Sequence, residues 1–207
     1  MLLLIVFSCK NDDDKGLPTV KDIDGNTYHT IQIGGQLWMV ENLRTMRYND
    51  GTTIPLVTDS AAWASLNGPG ATAYNNTTNI DTIKTYGRLY NGYAVNTGKL
   101  CPKGWRVPTE SDWNILIDYL GGKNVAGVKL KESGSAHWSD GNMADNSSGF
   151  TALPGGNRGA NAKFFNMGSN AYYWSQTVGF YINSGGTSIE NLPLSDNFGL
   201  SVCCIKE

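Results

Sequence analysis

Residues 101–120 read Cys-Pro-Lys-Gly-Trp-Arg-Val-Pro-Thr-Glu-Ser-Asp-Trp-Asn-Ile-Leu-Ile-Asp-Tyr-Leu and contain the clearest helix signal of the chain. Thr109 suits the N-cap position, and Glu110 and Asp112 place negative charge at the positive end of the helix dipole. Four apolar residues then recur at the spacing of one helix face: Trp113, Leu116, Ile117 and Leu120. Gly121-Gly122 ends the pattern. The stretch predicts a helix after Thr109 that packs against a core.

Short strand-like segments lie on both sides of this helix. Asp24-Gly25-Asn26 is a turn signal between two of them, and residues 200–205 form the last strand candidate. Asp59 suits the N-cap of a second, short helix that ends before Gly68-Pro69-Gly70. Alternating strand–helix–strand units are missing. The pattern predicts an α+β fold with short antiparallel strands, one or two helices and long loops.

The composition limits the number of domains and the kinds of partner. The chain has 207 residues, of which 40% are apolar and 16% charged, and its net charge is −2. Residues 19–207 are enough for a single domain with a real core. Because the chain has no long basic patch, a nucleic-acid partner is not expected.

The first nine residues resemble a bacterial lipoprotein signal. An apolar run ends in Val6-Phe7-Ser8-Cys9, which is similar to a lipobox, and it is too short to span a bilayer. Residues 1–8 are therefore interpreted as a signal peptide, truncated because no Lys or Arg precedes Cys9. The resemblance implies that Cys9 carries acyl chains, which anchor the chain to a membrane. The alternative is a chance cysteine after an ordinary apolar N-terminus.

An acidic segment follows the predicted anchor. Residues 9–18 include three adjacent aspartates, at 12–14, and have little apolar surface to bury. We interpret them as a solvated tether. A lipobox cysteine followed by acidic residues also resembles the surface-export signal of Bacteroidetes-type lipoproteins, which implies an outer-membrane protein facing the cell surface. The alternative is a plain linker on a protein that faces the periplasm.

Three cysteines remain after Cys9 is assigned to the anchor. An exported domain can form disulfides, and adjacent cysteines rarely bridge each other. The residues alone therefore allow a bridge from Cys101 to Cys203 or to Cys204.

Seven short motifs follow one another along the chain, at residues 20–28, 33–43, 86–91, 101–109, 149–158, 173–175 and 201–204. This ordered set resembles the Fibrobacter succinogenes major paralogous domain family. This family is similar to C-type-lectin-like domains, which implies a mixed fold with neighbouring terminal strands. Its Ser-Val-Arg-Cys ending implies a Cys101–Cys204 bridge. Cys203 stands where the family has Arg, and is expected to be a free thiol pointing away from Cys204.

The chain carries no recognisable catalytic or metal-binding set, and no cofactor is expected. His29 and His137 are far apart in sequence and are interpreted as structural. Residues 22–26 share a fragment with calcium loops but lack the remaining ligands, so a turn is the preferred interpretation. Residues 155–159 lack the Lys-Ser/Thr ending of a phosphate loop and are interpreted as a loop whose backbone crosses close to the core. Residues 173–176 lack the ligands of calcium-dependent lectins.

Two further expectations concern the surface. Asp59-Ser60-Ala61 and Asp81-Thr82-Ile83 resemble the O-glycosylation pattern of Bacteroidetes, which makes Ser60 and Thr82 candidate acceptors. Trp38, Trp105, Trp113 and Trp174 are expected in the core. Trp63 and Trp138 lie outside the family motifs, and the sequence leaves open whether they are buried or partly exposed.

These patterns together predict a lipid-anchored surface protein with a non-catalytic domain for binding or adhesion. Loops on a rigid scaffold commonly carry recognition, and the ligand is expected to be a polysaccharide or a protein. The alternatives are an envelope hydrolase or modifying enzyme, and a structural subunit of a surface assembly.

Overall fold

Antiparallel strands form three sheets in the computed structural model, which describes residues 17–139 and 141–207. The strands of the described residues are β1 Thr19–Lys21, β2 Thr27–Ile33, β3 Gln36–Met39, β4 Ala71–Thr72, β5 Leu89–Asn91, β6 Trp105–Arg106, β7 Gly155–Arg158, β8 Phe164–Met167, β9 Asn170–Trp174, β10 Gly179–Asn183, β11 Glu190–Leu192, β12 Gly199–Leu200 and β13 Ile205–Lys206. The sheet orders are β1-β2-β3-β13-β6, β4-β5-β12-β7-β8 and β11-β10-β9. The last strand thus shares a sheet with the first, and the predicted α+β class is confirmed.

The helices are more numerous than predicted. The described residues hold α1 Ser60–Ala64, α2 Ile80–Tyr86, α3 Gly92–Val95, α4 Glu110–Tyr119 and α5 Lys123–Leu130. Helices α1 and α4 are the two predicted ones, and α2, α3 and α5 were missed. Helices α2 and α3 have only 7 and 4 residues, too few to show an amphipathic period, and α5 has 8 residues with Gly127 inside it. Helices α1, α2 and α3 each begin at a capping side chain: Asp59, Asn79 and Asn91.

Helix α4 has the caps that the sequence predicts. The Thr109 hydroxyl accepts a hydrogen bond from the Asp112 backbone N–H, and the Asp112 carboxylate accepts one from the Thr109 N–H. Arg106 adds an ion pair to the same carboxylate. At the other end, Gly121 and Gly122 both have φ of +99°, a conformation that glycine adopts without strain. The predicted start and end of this helix are confirmed.

An aromatic cluster forms the centre of the core. The Trp113 ring centroid lies 5.0 Å from that of Trp38, 5.1 Å from Phe180 and 5.6 Å from Tyr173. Trp63 and Trp138, whose burial the sequence left open, are also buried. Their indole N–H groups donate to the carbonyls of Asn197 and Ala152, at 2.9 and 3.0 Å, which allows full burial.

A disulfide joins Cys101 to Cys204, with the two Cα atoms 6.1 Å apart, as the family resemblance implies. It fixes the segment before β6 to the segment before β13. The predicted strand over residues 200–205 is interrupted, because β12 ends at Leu200 and β13 begins at Ile205. Cys203 is a buried free thiol whose Sγ lies 2.9 Å from the Met39 carbonyl oxygen.

Candidate functional site

A groove of about 430 Å³ lies between α4 and the three-stranded sheet β11-β10-β9. It is lined from the helix, from the start of α5 and from the sheet by Glu110, Asn114, Ile117, Asp118, Lys123, Phe180, Ile189 and Asn191. The four α4 residues are spaced by four, three and one positions, so they share one helix face. The same periodicity that packs α4 on the core therefore directs its partly polar flank into the groove.

The floor of the groove is apolar and belongs to the core. Phe180 stacks on Trp113, with an interplanar angle of 25°, and only 2% of Phe180 is exposed. Ile117 and Ile189 lie beside it and are buried. Since these side chains are held by core packing, the floor is preformed and does not need a ligand to order it.

The rim of the groove is polar and carries both signs of charge. The Asn191 side-chain amide donates to Glu110 across the groove at 3.4 Å, a long hydrogen bond. Lys123 forms an ion pair with Glu190, and its hydrogen bond lowers the pKa of that carboxyl group. The Asn114 and Asp118 side chains make no hydrogen bond within the described residues. The rim thus offers amide and carboxylate groups to an incoming ligand.

The carboxylates of the groove are poorly placed for hydrolysis. Glu110 and Asp118 are eight residues apart on α4, which corresponds to a rise of about 12 Å along the helix axis. Paired carboxylates that cleave glycosidic bonds are separated by about 5–9.5 Å. In the part of the chain that the structure describes, no group of three or more His, Cys, Asp or Glu residues could hold a metal ion.

The candidate modification sites differ in their placement. Ser60 is the exposed first residue of α1, and Thr82 is half-buried within α2. Both remain candidate O-glycosylation sites. Cys9 and the acidic cluster lie outside the described residues. Among the described residues, no helix is both long enough and apolar enough to cross a bilayer.

The two histidines each contact a glutamate of their own. His29 Nδ1 pairs with Glu41, and His137 Nδ1 lies 2.9 Å from both carboxylate oxygens of Glu132. Both contacts lie outside the groove, since neither pair lines it. A role for the histidines in tying loops together fits this placement.

Both loop-like motifs have structural roles, as the sequence suggests. Asp22 accepts hydrogen bonds at 2.7 Å from the Asn26 amide and the Tyr28 hydroxyl, while Asp24 accepts from Thr45 and the Met46 N–H. These carboxylates stabilise the β1–β2 turn, which confirms the turn interpretation. Residues 155–158 form strand β7 and not the predicted loop, and the close approach of backbone is its pairing with β8: at Gly156 a Cβ atom would lie 2.5 Å from the Phe165 carbonyl oxygen.

Sequence reasoning missed the polar residues of the groove. Asn114 could have been found, because it is one turn from Glu110 on the flank of a well-predicted helix. Asn191 could not, because it lies in a three-residue strand and its approach to Glu110 depends on the tertiary fold.

Comparisons with known proteins support one assignment. Neither the curated proteins nor the solved structures gave a match to this chain. The family model described as the Fibrobacter succinogenes major domain matches residues 31–206, which cover β3 to β13 and every helix described above. The chain therefore belongs to the Fibrobacter succinogenes major domain family.

Proposed function

We propose that this chain is a lipid-anchored surface protein whose domain binds polysaccharide without cleaving it. The observation that carries the proposal is the groove between α4 and the β11-β10-β9 sheet. Its floor is held rigid by core packing, and its rim offers amide and carboxylate groups that can orient a ligand.

The lining chemistry favours a ligand rich in hydroxyl groups. Amide side chains such as Asn114 and Asn191 both donate and accept hydrogen bonds, and the carboxylates of Glu110 and Asp118 accept them. Sugar hydroxyls also both donate and accept hydrogen bonds, so they suit this polar rim. Because the groove is open, it suits a segment of a longer chain.

Two observations favour binding over catalysis. The groove carboxylates are about 12 Å apart in helix rise, as described above. The one free thiol of the described residues, Cys203, is buried, and burial raises its pKa far above that of an ordinary cysteine. A protonated, inaccessible thiol is a poor nucleophile.

The anchor rests on the sequence. The lipobox-like Val6-Phe7-Ser8-Cys9 and the acidic residues 12–14 support attachment to the outer membrane, facing the cell surface. Labelling cells with a fatty-acid analogue tests it: the chain should be labelled and the Cys9→Ala variant should not. Label retained by the variant would contradict the anchor.

A glycan array with the protein purified in detergent tests the binding role. We expect Asn191→Ala and Asn114→Ala each to weaken binding of the best glycan about tenfold, because each removes a side-chain amide that would hydrogen-bond the glycan. Asn67→Ala, at an exposed position outside the groove, is the matched control and should leave the affinity unchanged.

Three results would contradict this function. Release of shorter glycan products would favour a hydrolase. Absence of binding on both glycan and protein arrays would contradict the binding role. Concentration-dependent assembly together with such absence of binding would favour a structural subunit.

A further inference from the structure

Arg88 differs from the other four arginines of the chain. The guanidinium groups of the other four all have acceptors: Arg44 donates to Asn26 and Thr27, Arg47 to Ile23 and Asp24, Arg106 to Asp112, and Arg158 to Val57, Thr58, Asp59 and Ala162. The Arg88 side chain makes no hydrogen bond or ion pair with any described residue, and its Nε is buried without a partner.

An arginine whose N–H donors have no acceptor is unfavourable unless another group accepts their hydrogen bonds. The guanidinium group stays charged at every physiological pH and offers five N–H donors in a fixed plane. Leaving a buried donor without an acceptor destabilises a protein by about 1–3 kcal/mol. The chain retains this arrangement at the start of β5, where the Arg88 backbone N–H is itself satisfied by the Leu43 carbonyl at 3.0 Å.

Arg88 lines a cleft of about 210 Å³ between the 55–58 segment and the start of α2. Leu56, Ala73, Ile80 and Ile83 form the aliphatic part of its walls, and Asn76 and four threonines form the polar part. Leu56 is 56% exposed and Ile80 is 68% exposed, two of the most exposed large apolar side chains among the described residues. Threonine side chains, including Thr58, complete the rim. The cleft thus places one unpaired cation beside an exposed aliphatic surface.

We propose that this cleft docks a peptide segment of a partner protein in which an acidic side chain lies beside an aliphatic one. The Nε–H of Arg88 is itself buried, so the two terminal amino groups of the guanidinium, which make no hydrogen bond with any described residue, donate the two parallel hydrogen bonds to the carboxylate. The neighbouring aliphatic side chain covers Leu56 and Ile80, whose exposure is otherwise unfavourable. Arginine is also one of the residues enriched in binding hot spots.

The aliphatic walls favour a peptide over an acidic saccharide. A sugar ring presents hydroxyl groups in most directions, and these would face Leu56, Ile80 and Ile83 without acceptors. The cleft also differs from the α4 groove, whose rim is polar and whose residues are all different. The Arg88 cleft is therefore a second site, for docking a protein, and it is separate from the proposed glycan groove.

The test uses the full chain in detergent and a pair of short peptides. One peptide is acetyl-Ala-Glu-Leu-Ala-amide, and the other replaces its Glu by Gln, which keeps the shape and removes the charge. Binding is followed by NMR through the Arg88 Nε–H signal, assigned by its loss in Arg88→Gln. We expect saturable shifts with the Glu peptide and at least about tenfold weaker binding of the Gln peptide, since hydrogen bonds to charged groups contribute about 1.5–3 kcal/mol.

Matched variants separate the cleft from general charge effects. Arg88→Gln should weaken binding of the Glu peptide at least about tenfold. Lys84→Gln removes the same charge from an exposed position on α2 that does not line the cleft, and should leave the affinity within about twofold.

Four outcomes would overturn the proposal. The first is equal affinity for the two peptides, and the second is an unshifted Arg88 Nε–H signal at saturating peptide concentrations. The third is tighter binding of free glucuronate than of the Glu peptide, which would indicate an acidic saccharide. The fourth is an affinity that rises when Asp12, Asp13 and Asp14 are replaced by Asn, which would indicate that the chain's own acidic segment occupies the cleft.

Discussion

Arg158 and Arg88 lie on two sides of the same loop and have opposite surroundings. Arg158 is fully buried, and its guanidinium donates to the carbonyls of Val57, Thr58, Asp59 and Ala162 at 2.7–3.4 Å. Its Cζ also lies 4.4 Å above the Trp63 ring centroid. Arg88 is half-buried in an open cleft and has no acceptor among the described residues.

The difference lies in how the loop uses its carbonyl groups. Thr58 lines the Arg88 cleft, yet its carbonyl oxygen accepts hydrogen bonds from Arg158 and from the Asn76 amide. The backbone acceptors of this segment are therefore directed to the interior. A satisfied guanidinium holds the loop against the core, whereas an unsatisfied one is left for a ligand.

The largest expected effect tests the structural half of this comparison. Arg158→Met removes five donors and leaves the carbonyls of Val57 and Ala162 without partners, while those of Thr58 and Asp59 keep the Asn76 amide and the Trp63 N–H, so we expect a loss of about 4 kcal/mol in the free energy of unfolding. Denaturant unfolding measures it. Lys163→Met, at an exposed position on the β7–β8 hairpin, is the control and should change stability by less than about 0.5 kcal/mol. A similar loss in both variants would contradict the special role of Arg158.

The next largest effect concerns the disulfide between Cys101 and Cys204. Replacing Cys101 and Cys204 by Ser opens a bridge between positions 103 residues apart. We expect a loss of about 3 kcal/mol, mainly because the unfolded chain gains freedom. Cys203→Ala is the control and should lose about 1 kcal/mol, since it removes only one small buried group. If Cys203→Ala lowered the free energy of unfolding as much as the double variant does, the disulfide would not be the main source of stability in this region.

A third change tests a paired arginine at the edge of the core. Burial disfavours ionisation of Asp112, but the hydrogen bonds from Arg106 and Thr109 outweigh it and lower the pKa to about 2. An unfolded aspartate has a pKa of ~3.9, so the stabilisation is complete above pH ~4 and is lost as the pH falls towards 2. Asp112→Asn should lose about 2 kcal/mol at pH 7, because it breaks both the capping box and the ion pair.

The pH dependence distinguishes this explanation from simple loss of packing. The free energy of unfolding of Asp112→Asn should fall less steeply than that of the parent between pH 4 and pH 2. Glu110→Gln, which changes charge in the same helical turn without touching the capping box, should keep the parental slope. Parallel slopes for Asp112→Asn and the parent would show that Asp112 does not carry the acid sensitivity.

Local signals in the sequence predicted the parts of the fold that depend on neighbours in the chain. The caps at Asp59 and Thr109 and the stop at Gly121-Gly122 follow from residue chemistry. The Cys101–Cys204 bridge needed the family resemblance, because the spacing allowed two partners for Cys101. Helix α2 was missed because Ile80–Tyr86 mixes β-branched and polar residues without an apolar stripe.

The rest depended on tertiary contacts that no local pattern reports. Trp63 is buried because its indole N–H meets the carbonyl of Asn197, which is 134 positions away. Lys131 is fully buried because three carbonyls, those of Asn183, Ser184 and Gly186, accept from its ammonium group. The approach of Asn191 to Glu110 and the missing acceptor at Arg88 also depend on the tertiary fold.

The smallest expected change in stability tests the other half of the comparison. Arg88→Met keeps most of the side-chain volume and removes a charged group that lacks an acceptor. Because an unsatisfied buried donor is unfavourable, we expect the free energy of unfolding to stay the same or to rise by about 1 kcal/mol. Denaturant unfolding alongside Arg158→Met measures the contrast within one experiment. A loss of 2 kcal/mol or more would mean that Arg88 is satisfied within the folded protein, and the two arginines would then share one structural role.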